Sequence, residues 1–235
     1  MARNKRHNFK SFSSLKRNEN SLETPKLFIV ACEGEKTEPN YLNALFDYLK
    51  RDHKIAQGSF VIAGHQHSDP CGVLEDLLSA PEYSDLFDEK WIVIDRDEVM
   101  VTKKGSSGHT KENFCKATST AKDLGVGVAW SNPCFELWFV LHFNYRNTAC
   151  ARKEMQDIAL KLLIEKGILK SSSSIGDMKS TRDLFDSLLL YKETAIKNAK
   201  RLMQDKENEK PEDCNPGTRF HMLVEHLEKT IKKLK

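Results

Sequence analysis

The chain has 235 residues, of which 39% are hydrophobic and 30% charged, and its formal net charge is +3. No apolar run approaches the roughly 20 residues that a transmembrane helix needs, and the basic N-terminus lacks the apolar core of a signal peptide. These features argue against a membrane protein. They predict a cytoplasmic globular protein with one large domain, or one domain plus an extension.

Residues 1–24 form a polar segment that is rich in Ser and Asn. Six Lys or Arg residues fall among the first twenty positions, where Glu19 is the one acidic residue. A basic arm of this kind can contact the phosphates of a nucleic acid through salt-sensitive electrostatic attraction. A solvated tail is the simpler interpretation, and the sequence leaves both open.

Residues 25–145 show the alternation of an α/β domain. Leu27 to Cys32 is a continuous apolar run of strand length, and Pro39 helps to start the helix that follows. Further strands are predicted at 59–63, 91–94 and 126–130, and they alternate with helices at 71–79 and 112–124. This order predicts a three-layer α/β domain with a mainly parallel sheet.

A helical extension is predicted from residue 146 to residue 235, packed on the α/β domain. An aromatic helix at 135–143, FELWFVLHF, precedes it and is expected to be buried against the sheet. Beyond residue 146 the pattern predicts helices alone, at 151–167, 180–208 and 218–234. The Ser171 to Ser174 run separates the first two of these helices, and Pro211 to Gly217 separates the last two.

Three acidic residues follow two of the predicted strands. Glu33 ends the first strand, and Asp95 and Asp97 end the third in the sequence IDRD. Right-handed crossovers would place both strand ends at the same edge of the sheet, so the three carboxylates should converge. Converging carboxylates repel one another unless a cation neutralises them, and Mg²⁺ or Mn²⁺ prefers such oxygen ligands. The alternative is a turn in which the two aspartates pair with Arg96 or Lys36 while Glu33 caps a helix.

Cysteine and histidine residues give weaker signals. The six cysteines are widely spaced without any CxxC pair, which favours free thiols over a structural zinc site. His65 and His67, near Asp69, could bind a transition metal, although a polar loop is the simpler interpretation. His142 is interpreted as a core or rim histidine, with a role in proton transfer as the alternative.

The acidic strand ends resemble those of a Toprim domain, the metal-binding module of topoisomerases, primases and several nucleases. Four blocks resemble the RloB family more closely: EGEKTEPNYL, IDRD, SNPCFELWFVLHF and NPGTRFHMLVE, which begin at Glu33, Ile94, Ser131 and Asn215. RloB-like proteins occur with restriction-modification and phage-defence loci. They are similar to the Toprim effector nuclease of the PARIS defence system, which attacks tRNA.

The resemblance implies roles for individual residues. Glu33 would act as general acid or base, and Asp95 and Asp97 would hold Mg²⁺. Many Toprim domains have a third acid, DxDxE, where this chain has Val99. Glu136 is the candidate substitute, or else it is a buried helix residue paired with Lys or Arg. Lys36 would either hold a phosphate or pair with Glu33 or Asp97.

The resemblance implies a Mg²⁺-dependent nuclease of anti-phage defence that cleaves RNA such as tRNA. Nucleic-acid contacts are expected from four basic residues near the proposed site: Arg96, Lys103, Lys104 and Lys111. The last three, with His109, belong to the predicted loop KKGSSGHTK. The alternatives are a DNA nuclease and a non-catalytic Toprim module that binds nucleic acid or a partner protein. A homodimer, or a complex with a sensor or ATPase subunit, is also considered.

Overall fold

A computed structural model describes residues 26–52, 59–80, 87–98, 100–102 and 105–232. The strands are β1 (Phe28–Cys32), β2 (Phe60–Ile62), β3 (Glu89–Asp95), β4 (Met100–Thr102), β5 (Gly105–Ser107), β6 (Gly127–Asn132) and β7 (Gly217–Thr218). The helices are α1 (Thr37–Asp52), α2 (Pro70–Ser79), α3 (Lys111–Asp123), α4 (Glu136–Leu141), α5 (Arg152–Glu165), α6 (Ile175–Ser180), α7 (Arg182–Leu189), α8 (Lys192–Asp205) and α9 (Phe220–Lys232). None of these helices is both long and apolar enough to cross a membrane. The predicted basic arm, residues 1–24, and the basic pair Lys103 and Lys104 lie outside the described residues.

The main sheet has the strand order β2-β1-β3-β6-β7. The first four strands are parallel, with Val30 opposite Trp91 across β1 and β3 and Trp91 opposite Gly127 across β3 and β6. The chain moves outwards from β1 in one direction to β2 and in the other to β3, so the order reverses between β1 and β3. In open parallel sheets, ligands bind beside the carboxyl ends of the strands at such a reversal point.

Helices cover both faces of the sheet, because the strand side chains alternate between two apolar clusters. Phe28 and Val30 of β1 pack in a large cluster with α1, α4, α5, α7, α8 and α9. Ile29 and Ala31 pack on the opposite face in a cluster to which α2 and α3 contribute. The structure therefore confirms the predicted three-layer α/β fold with a mainly parallel sheet.

The prediction of one helix over 180–208 is wrong, because two helices, α7 and α8, cover this range and α6 ends at its first residue, Ser180. Helix α6 begins earlier, at a capping box in which Ser174 and Asp177 bond to each other's backbone N–H groups. It ends at Thr181, whose extended backbone breaks the helix and whose hydroxyl donates to the carbonyl oxygen of Asp177 at 2.7 Å. A second break, at Leu190 and Tyr191, separates α7 from α8.

The prediction of helices alone beyond residue 146 is also wrong, because β7 joins the sheet. It pairs antiparallel with β6, and Thr218 lies opposite Ser131. A Cβ atom at Gly217 would lie 2.4 Å from the Sγ atom of Cys214, so only glycine fits this approach. A two-residue strand is too short to leave an alternating pattern in the sequence. The large apolar cluster includes residues on both sides of position 145, and the predicted division into domains there stays a prediction.

The segment that follows β3 also differs from its predicted form. The sequence indicates a loop there, whereas the structure has the antiparallel hairpin β4–β5. Its base is closed by a bridge between Glu98 and His109 and by a hydrogen bond of 2.8 Å from the N–H of His109 to the carbonyl oxygen of Asp97. Gly108 has a φ of 88°, which glycine adopts without strain. The hairpin thus returns His109 to the end of β3.

Candidate metal centre

The parallel pairing of β1 and β3 brings two of the predicted acids together. Glu33 follows directly on β1, and its N–H donates to the carbonyl oxygen of Val93 on β3 at 2.9 Å. Its carboxylate Oε2 accepts a hydrogen bond of 2.9 Å from the N–H of Asp95. The side chain of Glu33 is therefore held across the end of the neighbouring strand, at the reversal point of the sheet.

A pocket of about 640 Å³ opens at this edge. Its lining includes five carboxylates, none of them more than 9% exposed: Glu33, Glu38, Asp95, Asp97 and Glu136. Four of the five are predicted metal-site residues, and Glu38 joins them because the first turn of α1 points it back towards Gly34. Burial of this many acids around one space is expensive unless cations are bound nearby.

One group of three side chains has the spacing of a metal site. Ligand atoms of Glu33, Asp97 and His109 all lie within 4.8 Å of one another, and no second such group occurs in the described part of the chain. The predicted ligands Asp95 and Glu136 line the same pocket but are not members of this group. His109, which the sequence places in the adjacent loop without a ligand role, lies with Nε2 at 2.8 Å from Glu33 Oε1.

The acids in the pocket disturb one another's ionisation. Burial raises the pKa of Asp95 well above its usual range, and repulsion by Glu33, Glu38 and Glu136 adds to the rise. Burial likewise raises the pKa of Glu38 to about 7, against the lowering effect of a backbone hydrogen bond. For His109, burial lowers the pKa, but the hydrogen bond to Glu33 and the charge of Glu33 outweigh it, so the pKa is raised. The negative charge of the pocket acids is thus not fully neutralised by the cationic side chains around them.

Three buried carboxylate oxygens make no hydrogen bond among the described residues, namely Oδ1 of Asp95 and both oxygens of Asp97. Of these, Oδ2 of Asp97 has an ion-pair partner, Arg152, and the two Oδ1 atoms have none. Buried polar atoms nearly always have a hydrogen-bond partner. Carboxylate oxygens that lack one, in an acidic pocket, are suited to coordinate a metal ion. The oxygen-rich donor set fits Mg²⁺ or Mn²⁺. An imidazole ligand is more typical of transition metals, so direct binding by His109 would favour Mn²⁺.

Cationic side chains on the other side of the pocket pair with two of the acids. Arg152, at the start of α5, forms an ion pair with Asp97 Oδ2, and Lys179 of α6 lies with Nζ at 3.2 Å from Glu136 Oε1. Glu136 is therefore a buried helix residue paired with a lysine, as one interpretation of the sequence had it, and it also lines the pocket. Lys36 is exposed on the pocket lining and makes no ion pair within the described ranges.

Two of the basic residues expected to bind nucleic acid have other contacts. Arg96 is 8% exposed, and its Nη1 donates to the carbonyl oxygens of Asp97 and His109 at 3.2 and 3.3 Å. It holds the base of the β4–β5 hairpin together. Lys111 lies outside the pocket lining, where its Nζ is 2.6 Å from Asp213 Oδ1.

The remaining histidines that the sequence singles out have local partners. His67 Nδ1 lies 2.6 Å from Asp76 Oδ1, whereas Asp69 accepts a hydrogen bond from Gly72 and caps α2. The polar-loop interpretation of His67 therefore holds. His142 is fully buried, with Nδ1 2.7 Å from the carbonyl oxygen of Trp138 and Nε2 3.1 Å from the hydroxyl of Tyr41. The predicted core position of His142 is confirmed, and the six cysteines are free thiols as expected.

Sequence reasoning overlooked four side chains of the pocket, for different reasons. The sequence assigns no site role to Glu38 and places His109 in a loop. Arg152 and Lys179 follow no strand and belong to no recognisable motif. Their positions depend on how α5 and α6 pack beside α1 and α4, which no local pattern indicates.

Comparison with known proteins identifies the family of this chain. A family model described as RloB-like protein matches residues 28–227, a range that includes all five buried acids and both opposing cations. No curated protein and no solved structure matches the chain. The match spans most of the sequence, and the chain therefore belongs to the RloB-like family.

Proposed function

We propose that this protein is a metal-dependent nuclease that cleaves phosphodiester bonds, with RNA such as tRNA as the substrate, in defence against phage. The observation that carries the proposal is the set of buried carboxylates with orphaned oxygens at the reversal point of a parallel sheet, in a pocket whose lining also includes the cations Arg152 and Lys179. RNA and phage defence are supported by membership of the RloB-like family and by the resemblance of its motifs to a tRNA-attacking Toprim effector.

Asp95 and Asp97 are the proposed metal-holding residues, with Glu33 and His109 beside them and Glu136 as a candidate for a second position. When bound, Mg²⁺ or Mn²⁺ would neutralise charge on the phosphate oxygens and lower the pKa of a bound water. The orphaned Oδ1 atoms of both aspartates are the atoms best suited to this role. Arg96 donates hydrogen bonds to the carbonyl oxygens of Asp97 and His109, and it thereby holds these two site residues close together.

Glu33 is the proposed proton-transfer residue. The N–H of Asp95 fixes one of its carboxylate oxygens, while the other faces His109 Nε2. It would take a proton from the attacking hydroxyl or give one to the leaving oxygen. His109 could exchange that proton with solvent, because its side chain is partly exposed. Lys36, on the exposed rim of the same pocket, would contact a phosphate.

The test is a cleavage assay with tRNA, single-stranded DNA and duplex DNA, each with Mg²⁺ or with EDTA. Glu33→Gln is expected to lower the rate by about 10²- to 10⁴-fold, the usual range for loss of a proton-transfer group. Asp95→Asn is expected to lower the rate as well, because a metal-holding carboxylate is lost. Glu75→Gln is the matched control, because it removes one exposed acid on α2 away from the pocket. Cleavage that survives EDTA, or equal rates in all variants, would contradict the mechanism. Cleavage of DNA alone would make the protein a DNA nuclease.

A non-catalytic Toprim module that binds nucleic acid or a partner protein is the second candidate. One observation favours it: Asp97 already has Arg152 as a counter-ion, and Glu33 has His109. These pairs could stabilise the pocket without any metal. Metal binding with no turnover of any nucleic acid, even with candidate partners present, would support this candidate over the nuclease.

A homodimer, or a complex with a sensor or ATPase subunit, is proposed as the form in which the nuclease is controlled. The helices after residue 146 offer surface for either, and light scattering on the purified chain distinguishes a dimer from a monomer. An active monomer without any added subunit would contradict both arrangements.

A further inference from the structure

The two cations of the pocket, Arg152 and Lys179, share an unusual arrangement. Each pairs with a carboxylate that is far more buried than itself: the Arg152 side chain is 41% exposed against 1% for Asp97, and Lys179 is 28% exposed against 2% for Glu136. Both cations come from helices after residue 145, whereas both acids come from the sheet edge and the helix beside it. The two cations are therefore more accessible from the pocket than the acids with which they pair.

Each cation also acts on a second acid. The charge of Arg152 counters the rise in the pKa of Asp95, and the charge of Lys179 counters the rise in the pKa of Glu38. Arg152 and Lys179 thus partly offset the negative charge of four carboxylates. If a divalent ion binds these carboxylates, the need for Arg152 and Lys179 as counter-ions falls, and both side chains already line the pocket in which a phosphate would lie.

We propose that Arg152 and Lys179 form a phosphate-binding wall, which contacts the backbone phosphates of the nucleic acid next to the bond that is cut. The planar guanidinium of Arg152 can contact two oxygens of one phosphate, and the ammonium of Lys179 acts as a point charge. This inference rests on the proposed nuclease function, which supplies the metal and the phosphodiester substrate.

The first test measures binding of a short fluorescent single-stranded RNA and of total tRNA in the Glu33→Gln background, with Mg²⁺, over a series of salt concentrations. Arg152→Gln and Lys179→Gln are each expected to weaken binding. Each should also lower the slope of log K against log salt by about 0.7, because one phosphate contact is lost. Lys153→Gln and Lys161→Gln are the matched controls: both remove one positive charge from the exposed face of α5, where the lysines pair with Asp157 and Glu165. Their slopes should equal that of the parent.

The second test measures Mn²⁺ affinity by calorimetry without any nucleic acid. Arg152→Gln is expected to bind the ion several-fold more tightly than the parent, because the competing cation on Asp97 is gone. A merely structural ion pair predicts the opposite, since its loss would loosen the pocket. If Arg152→Gln does not fold, Arg152→Lys replaces it: the charge stays, so the salt slope should stay, while affinity for RNA falls with loss of the two-oxygen contact.

Slopes for Arg152→Gln and Lys179→Gln that match the lysine controls would overturn the inference. In that case the proposed function would still stand if the protein with Glu33 intact cleaves nucleic acid in a metal-dependent way. An intact protein that binds neither metal nor nucleic acid would instead overturn the proposed function, and the inference with it.

Discussion

At the scale of single residues, the acidic side chains discussed above fall into two groups that differ in their neighbours. Asp69 and Asp76 lie on or just before α2, and although burial raises the pKa of each, hydrogen-bond donors outweigh burial and lower it. Asp95 and Glu38 are buried beside other acids, and their pKa values are raised. Asp69 and Asp76 thus have hydrogen-bond donors as their main neighbours, whereas Asp95 and Glu38 are buried beside other carboxylates. That contrast is the strongest local sign of a binding site.

His142 provides a prediction on stability at low pH. Burial lowers its pKa to about 4, against 6.5 for a free histidine. Between pH 4 and pH 6.5 the unfolded chain binds a proton at His142 that the folded protein does not bind. The contribution of His142 to the free energy of unfolding is therefore complete above pH 6.5, and it is lost as the pH falls towards 4. The total loss is about 3 kcal/mol.

The measurement for His142 is the free energy of unfolding of the wild type and of His142→Gln at pH 7 and pH 4.5. Glutamine does not titrate, so the advantage of the wild type should shrink at the lower pH. An advantage that stays constant between the two values would show that the pKa of His142 is the same in the folded and unfolded protein, and would contradict the prediction.

At the scale of elements, helices α8 and α9 are joined by two ion pairs of different burial. Lys192 pairs with Glu228, and both side chains are about a tenth exposed or less. Lys200 pairs with Glu225 at 2.5 Å on a more exposed part of the same two helices. The two pairs therefore allow burial to be compared within one helix contact.

Lys192→Met is expected to lower the free energy of unfolding by about 3–5 kcal/mol, because it leaves the buried carboxylate of Glu228 without its ammonium partner. Lys200→Met should cost at most about 1 kcal/mol, as is usual for an exposed pair. The double variant Lys192→Met with Glu228→Gln should recover part of the loss. Urea unfolding of the four proteins gives these values, and similar costs for the two single variants would contradict the account.

At the scale of the whole molecule, the pocket is assembled from distant parts of the chain. The sheet edge supplies Glu33, Asp95 and Asp97, the β4–β5 hairpin returns His109 to them, and the later helices bring Arg152 and Lys179 to the opposite side. The site is complete only when these parts are packed together. A change in the charge of the pocket acids should therefore change the free energy of unfolding of the entire protein.

The effect of a divalent ion on stability should depend on pH. The pKa of Glu38 in the folded protein, about 7, lies above the usual 4.5 of a free glutamate, so the folded protein holds a proton that the unfolded chain releases between these values. In EDTA, this group makes stability fall as the pH rises from 4.5 through 7. A bound cation removes the repulsion and opposes that fall.

The increase in the melting temperature caused by Mg²⁺ or Mn²⁺ should accordingly be larger at pH 8 than at pH 5.5. Thermal unfolding at both values, with EDTA or with excess metal, measures it, and Glu38→Gln should reduce the difference. An equal or larger increase at pH 5.5 would contradict the proposed role of the acids.

Much of this organisation could be predicted from the sequence. The apolar runs that end at Glu33 and Asp95 indicate parallel strands, and the rule that such strands end at one edge brings the two acids together. Glu136 could be placed near the site only by resemblance. Strand β7 is too short to show a period.

The side chains that complete the pocket could not be predicted in the same way. The position of Arg152 depends on long-range packing of α5 against α4, and its pairing with Asp97 follows from that packing. His109 depends on a hairpin within a segment whose Gly and Ser residues read as a loop. Local sequence patterns therefore predict the positions of the acids, whereas tertiary packing determines which side chains pair with them.

The most direct test of the central claim, that the buried acids hold a divalent cation, is calorimetric titration of Mn²⁺ and Mg²⁺ at pH 8. The account predicts saturable binding in the wild type and in Glu75→Gln, and its loss in Asp97→Asn with the protein still folded. Absence of binding in the wild type, or equal affinity in Asp97→Asn, would contradict it.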